Sequence, residues 1–169
     1  MSEIFTIDTK PCPSDAKKIQ TVLMGGGAVI FMISLVAPVV LGVKEPLVQY
    51  AGMALGGMEM VMGLFWPRFV LGKDKTDRSF HFFSDELVIK NLGQDVQHVN
   101  YDNIVTVTED ENPSAADRDA GLTTVILQLN KKVQLYGTRH FSDKLLLKGV
   151  AEPNAFARIK EVVEKNKRA

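Results

Sequence analysis

Cysteine is almost missing from this chain of 169 residues, and net charge is missing altogether. The single Cys12 excludes an intrachain disulfide and any two-thiol metal site, and it is compatible with a reducing compartment. Twenty Lys and Arg balance twenty Asp and Glu, so a formal charge of +0 removes bulk electrostatic attraction as a route to nucleic acid. Charge is also missing locally. Residues 22–43 carry none and have Ser34 as their only polar side chain; residues 47–66 break their apolar character only at Gln49 and Glu59. The mean hydropathy near zero therefore averages two very different regions.

Each apolar run is long enough for a helix to cross a hydrocarbon core about 30 Å thick. Lys44, Glu45 and Pro46 leave room for a tight turn only, so 20–72 reads as a transmembrane hairpin after a polar segment 1–19. The N-terminus does not read as a typical signal peptide, since acids precede the bases and the first run is too long for a signal core and is followed by a second; it reads as a retained anchor. Lys10, Lys17 and Lys18 flank the first run, and Arg68, Lys73, Lys75 and Arg78 follow the second, whereas the turn offers Lys44 alone. The positive-inside rule then puts both termini in the cytoplasm of a multi-pass inner-membrane protein, with Tyr50 and Trp66 at the interfaces.

Small residues crowd both runs. Gly25, Gly26 and Gly27 fall together, and Gly52, Gly56 and Gly63 lie along one face of the second helix, a spacing that lets another backbone come close. Glu59 shares that face. Its carboxyl is expected to point at a neighbouring helix, as a packing hydrogen bond, a proton- or ion-handling group, or a contact to a cofactor or partner chain. Ser34 is placed to take up the carbonyl that Pro38 frees.

Beyond residue 79 the period changes to two. Ser79–Phe83, Glu86–Asn91, Val96–Tyr101, Ile104–Thr108, Leu122–Asn130, Val133–Gly137 and Lys144–Lys148 read as strands. Residues 109–121, with Pro113 and five acids, read as a long exposed loop. Pro153 is expected to open a helix with Phe156, Ile159, Val162 and Val163 on one stripe and Arg158, Lys160, Glu161 and Glu164 opposite.

Chemistry is sparse. His81, His98 and His140 have no carboxylate or Cys at ligand spacing, no glycine-rich phosphate loop follows a strand, neither Ser84 nor Ser142 sits in a nucleophile elbow, and the acidic stretch lacks calcium-loop spacing. The reading is of a protein that is not an enzyme, with no cofactor and no metal.

Three segments carry a family resemblance: Phe80-His-Phe-Phe-Ser-Asp-Glu-Leu-Val-Ile-Lys90, Tyr101-Asp-Asn-Ile-Val-Thr-Val107, and Leu146-Leu-Lys-Gly-Val-Ala-Glu-Pro-Asn-Ala-Phe-Ala-Arg-Ile159. The chain resembles the bacterial pleckstrin-homology-like (PH-like) membrane proteins over about residues 20–167. That likeness implies an α+β membrane protein in which a two-helix hairpin precedes a seven-strand PH-like barrel with a C-terminal helix, the barrel spanning 79–167. Phosphoinositide binding is disfavoured, because the first strand-to-strand turn reads Ser84-Asp85-Glu86 with only Lys90 nearby. Lys131, Lys132, Arg139, His140, Lys144 and Lys148 give the second half a basic side, open to three readings: contact with an acidic partner, contact with lipid headgroups, or a plain strand exterior. The flattened glycine-rich helices, the intramembrane carboxyl and a barrel with no active site point to an accessory, scaffold or assembly subunit, with the lipid bilayer and other membrane-protein subunits as partners; the alternative is ion or proton coupling through Glu59 in an oligomer.

Overall fold

The structure is a computed structural model that describes residues 2–42, 46–135 and 140–167. The chain is α+β, and it divides into a discontinuous β-rich unit (1–12 and 74–169) and a helical unit (13–73) inserted into it.

The first strand of the β-rich unit comes from the N-terminus. In β1 (Glu3–Asp8) Phe5 and Ile7 alternate with Ile4 and Thr6, and this period of two buries Phe5 and Ile7 on one face. β1 pairs antiparallel with β2 (Arg78–Phe83), setting Ile7 opposite Phe80 and Phe5 opposite Phe82. The Phe5 and Phe82 rings stack with centroids 4.4 Å apart. β3 (Glu86–Asn91) and β4 (Gln94–Asn100) complete an antiparallel sheet in the order β1-β2-β3-β4. The unit therefore does not begin near residue 79: its edge strand is supplied by the segment read from sequence as a polar leader.

A 3-10 turn at Tyr101–Asn103, capped by the Asn100 side chain, leads into the second sheet. This sheet holds β5 (Ile104–Glu109), β6 (Thr123–Gln134) and β7 (Phe141–Val150) in sequence order. The strands expected at 122–130 and 133–137 run as one as far as Gln134, and positions 136 and 137 of the second lie outside the described residues. Lys131 and Lys132 interrupt the apolar alternation but not the strand, because an exposed hairpin edge tolerates lysine. The expected acidic loop contains a short helix, α3 (Ala115–Asp119), begun by Ser114, whose hydroxyl accepts from the Asp117 amide at 3.1 Å.

The two sheets meet where Thr9 bridges to Val150 and the Lys10 amide donates to the Gly149 carbonyl at 2.8 Å. Gly149 has φ +76, and a Cβ there would collide with the Lys10 carbonyl, so this junction needs glycine. The closing helix α4 (Ala155–Asn166) starts two residues after Pro153, with Asn154 as its cap in the left-handed region. Ile159, Val162 and Val163 are buried as the stripe anticipates, Phe156 packs partly buried against the same core, and Arg158, Lys160, Glu161 and Glu164 face outward.

The helical unit is α1 (Pro13–Leu41) and α2 (Pro46–Leu71). Both begin on proline, whose fixed φ and missing amide suit a first helical position. α1 begins well before the apolar run, and α2 continues through Pro67. Close approaches pair Gly27 with Gly56, Met24 with Gly63 and Ser34 with Gly52, so the helices run antiparallel. Among the described residues one helix, at Pro13–Val40, is long and apolar enough to cross a membrane, and only 6% of its most apolar stretch is buried. The second span expected from the sequence does not pass the same test of length and apolarity, with Gln49 and Glu59 inside α2.

Candidate functional site

The most specialised geometry in the molecule is the seam between α1 and α2. A Cβ on Gly27 would lie 2.6 Å from the Gly56 carbonyl oxygen and 2.9 Å from the Met60 amide. A Cβ on Gly56 would lie 2.6 Å from the Gly27 carbonyl and 2.7 Å from the Phe31 amide. The contact is reciprocal, backbone against backbone, and any side chain would force it apart. Gly63 makes room for Met24, whose Cγ would be 2.7 Å from an added Cβ, and Gly52 makes room for the Ser34 hydroxyl.

Of the residues singled out from sequence, the structure gathers Gly26, Gly27, Gly52, Gly56, Glu59 and Gly63 at this seam. Gly25 is not part of it: nothing lies within 4 Å of its Cβ direction, because a helix turns about 100° per residue and only the later members of the triplet face α2. Glu59 is half-buried, and its Oε2 faces Gly26, 3.6 Å from where a Cβ would stand. Ser34 was missed as a seam residue. Its hydroxyl donates to the Ile30 carbonyl at 2.8 Å, rather than serving the carbonyl freed by Pro38.

The basic side is dispersed. Lys144 pairs with Gln128, Lys148 lies toward the end where Val125 meets Leu147, and Lys131 and Lys132 sit in the irregular stretch between the Gln128 and Val133 pairings. Asp143 accepts from Gln128 at 3.1 Å among them. Arg139 lies outside the described residues.

Two histidines have the carboxylate partners that sequence spacing did not offer. His81 Nδ1 lies 2.9 Å from Glu3 Oε1 and 3.0 Å from Thr6 Oγ1, and its Nε2 lies 2.9 Å from Ser79 Oγ. Thr6 also donates to Glu3. These bonds, the Thr6 hydroxyl first and His81 second, hold the Glu3 carboxyl below the usual carboxylate range. The order hydroxyl, imidazole, carboxylate is that of an acyl-transfer relay, but it spans the outer faces of β1 and β2 and ties the N-terminal strand to its neighbour. On the same sheet His98 Nδ1 meets Glu86 Oε1 at 3.1 Å. Sequence alternation at residues 3–9 was the available signal for the first network; its partner strand lies some seventy residues away.

Tyr101 is buried, and its hydroxyl donates to the Phe83 carbonyl at 2.7 Å. Burial first, then the charges of Asp85 and Glu86, push that hydroxyl well above the ordinary tyrosine range. A surface cavity of about 320 Å³ is lined by Glu109, Thr123, Glu152, Asn154 and Phe156. Among the described residues no three His, Cys, Asp or Glu converge as a metal site. Compared with known proteins, the chain matches no family model, no curated protein and no solved structure.

Proposed function

We propose that this chain is a non-catalytic, membrane-anchored protein of the PH-like kind, acting as an accessory, scaffold or assembly subunit of a larger membrane complex. One observation carries the reading: the helical unit keeps its small residues inside and its large apolar residues outside. Gly27 and Gly56 touch through their backbones while Val22, Val29, Ile33, Leu55, Met58 and Phe65 are more than half exposed. In water such a surface would be an aggregation hazard, whereas in lipid the outward side chains meet their own kind and close packing of small residues supplies the association. On this reading α1 and α2 cross the bilayer together, with the flanks of the pair cytoplasmic.

The β-rich unit supports the PH-like part of the proposal through its arrangement, two antiparallel sheets joined at one corner and followed by an amphipathic helix. It also offers docking surface: the β6–β7 hairpin presents Lys131, Lys132 and Phe141 to solvent, the last 65% exposed. The test is isolation of the tagged full chain from its native membranes. It should resist carbonate extraction and retain different polypeptides in mild detergent. Release by carbonate refutes the anchor, and recovery as a pure homo-oligomer refutes the accessory role in favour of self-assembly.

A further inference from the structure

The tip of the β3–β4 hairpin carries an unusual residue for its backbone. Asn91 pairs with Gln94, so Leu92 and Gly93 make a two-residue turn, with φ 53 and 76. Positive φ at both central positions gives the turn whose twist matches a β-ribbon, and its first position favours Asn, Asp or Gly. A leucine held there is strained, because its Cβ crowds the following carbonyl oxygen. No packing within the fold offsets that strain, since Leu92 is 73% exposed. A strained backbone that keeps a large apolar side chain in solvent points to a contact outside the fold.

Hydrogen bonds fix where this tip stands in the β-rich unit. The Leu92 amide donates to the Asp77 carbonyl at 2.8 Å, and the Thr76 amide donates to the Thr9 carbonyl at 2.7 Å. Thr9 follows β1 on the way to α1, and Thr76 and Asp77 bring the chain back from α2 to β2. Antiparallel alternation agrees: the connections after β1 and β3 leave one end of the sheet, and the Ser84–Asp85 turn after β2 lies at the other. On the membrane-anchored reading, on which this inference rests, the tip is at the tethered end, and the stretch from Leu71 to Arg78 spans at most about 25 Å. We infer that Leu92 inserts into the interfacial layer of the same bilayer that holds α1 and α2. One leucine would hold a free protein only weakly. The tether makes the contact intramolecular, so a single apolar side chain is enough to shift the balance. Lys75 is paired with Asp8 and Lys90 with Asp95 beside the tip, so the contact is apolar and does not call for anionic lipid.

The test uses the full chain with Cys12→Ser, reconstituted into phosphatidylcholine vesicles with and without phosphatidylglycerol and scored for carbonate-resistant insertion. A polarity-sensitive fluorophore is placed on Gln94→Cys, beside the intact Leu92, or on Ser84→Cys at the opposite end of the sheet, both exposed positions. Phosphatidylcholine spin-labelled near the headgroup should quench the first label and spare the second, equally in both vesicle types. Leu92→Ala should lower the ratio of docked to undocked unit about tenfold, read as lost quenching at the Gln94→Cys label, since one leucine side chain no longer leaves water. Leu92→Asn should lose quenching to the same degree and raise the denaturant midpoint in mild detergent, by about fivefold in the folding equilibrium, because Asn suits the turn. A leucine kept for stability would give the opposite midpoint shift and overturn the site. A chain that fails to insert overturns the anchor and the tip contact together. An inserted chain whose Gln94→Cys label is unquenched, or quenched no more than the Ser84→Cys label, overturns the tip contact alone. So does quenching that survives Leu92→Ala, or shielding that persists in lipid-free detergent and grows with protein concentration, which would make the occupant a second copy.

Discussion

The two units of this protein bury opposite kinds of residue. In the β-rich unit the largest side chains are innermost: Phe80, Phe82, Tyr101 and Ile159 have no measurable exposure, and polar residues alternate outward. In the helical unit glycines Gly27, Gly56 and Gly63 meet the neighbouring helix, while Val39, Leu47 and Phe69 stand 85%, 79% and 67% exposed. On the membrane-anchored reading proposed above, both units obey one rule, that a surface should resemble its solvent, and they differ because their solvents differ. On that reading a folding argument that counts buried apolar area describes the first unit, while in the second backbone approach and shape supply the cohesion.

The largest effect that sharpens this contrast concerns β1. A fragment beginning at residue 79 lacks Phe5 and Ile7, whose burial is worth about 1.5–3 kcal/mol each, a large share of a stability of about 5–15 kcal/mol. Residues 79–169 alone should therefore lack cooperative unfolding in buffer. Residues 2–9 joined by a flexible linker to 76–167 should restore it with no detergent present. A fragment from 79 that unfolds cooperatively and natively would show that β1 is dispensable.

The next effect tests the inverted unit. Gly56→Leu places a side chain against the Gly27 carbonyl and Phe31 and should cost about 1–3 kcal/mol of helix association or more. Gly57→Leu, whose Cβ direction is open, should leave the pair intact. Crosslinking yield between cysteines placed across the seam would rank the two. Equal loss for both would mean that apolar area, rather than close approach, holds this unit together.

The smallest effect is electrostatic and belongs to the β-rich unit. Tyr101 keeps its proton in the folded state to higher pH than in the unfolded chain, which releases it near pH 10. Stability from this group is therefore complete below pH 10 and is lost as pH rises above it. Tyr101→Phe should cost about 1 kcal/mol at neutral pH, by removing the bond to the Phe83 carbonyl. It should also flatten the alkaline decline measured by denaturant midpoint. An unchanged slope would assign that decline to other groups.

How far the sequence could be read depended on the range over which its signals act. β3 was legible at both ends because Ser84 and Asp85 precede it and Gly93 follows it. The stripe of α4 was legible because Ile159, Val162 and Val163 recur at helical spacing. Glu59 and the later glycines were assigned to one face on the same helical spacing. β1 was overlooked although Phe5 and Ile7 alternate, since six residues beside a long apolar run carry little weight until β2 is known to receive them. The break assumed at Lys131 was composition without geometry. The pairing of His81 with Glu3 and of His98 with Glu86 needed the strand register, which no local pattern specifies.

Sequence by itself determined the division of the chain into a sparsely charged helical stretch and an alternating β-rich stretch, together with the glycine face of α2 and the apolar stripe of α4. These follow from hydropathy and period, which are properties of neighbouring residues. Tertiary structure alone decided that the helical unit is an insertion between two paired strands, that Gly26 and Gly27 but not Gly25 meet α2, and that Thr9 bridges to Val150. It also left the Trp66 N–H buried without a partner. Each of those depends on residues distant in the chain being brought within van der Waals or hydrogen-bond range, and contact at that range is a property of the fold.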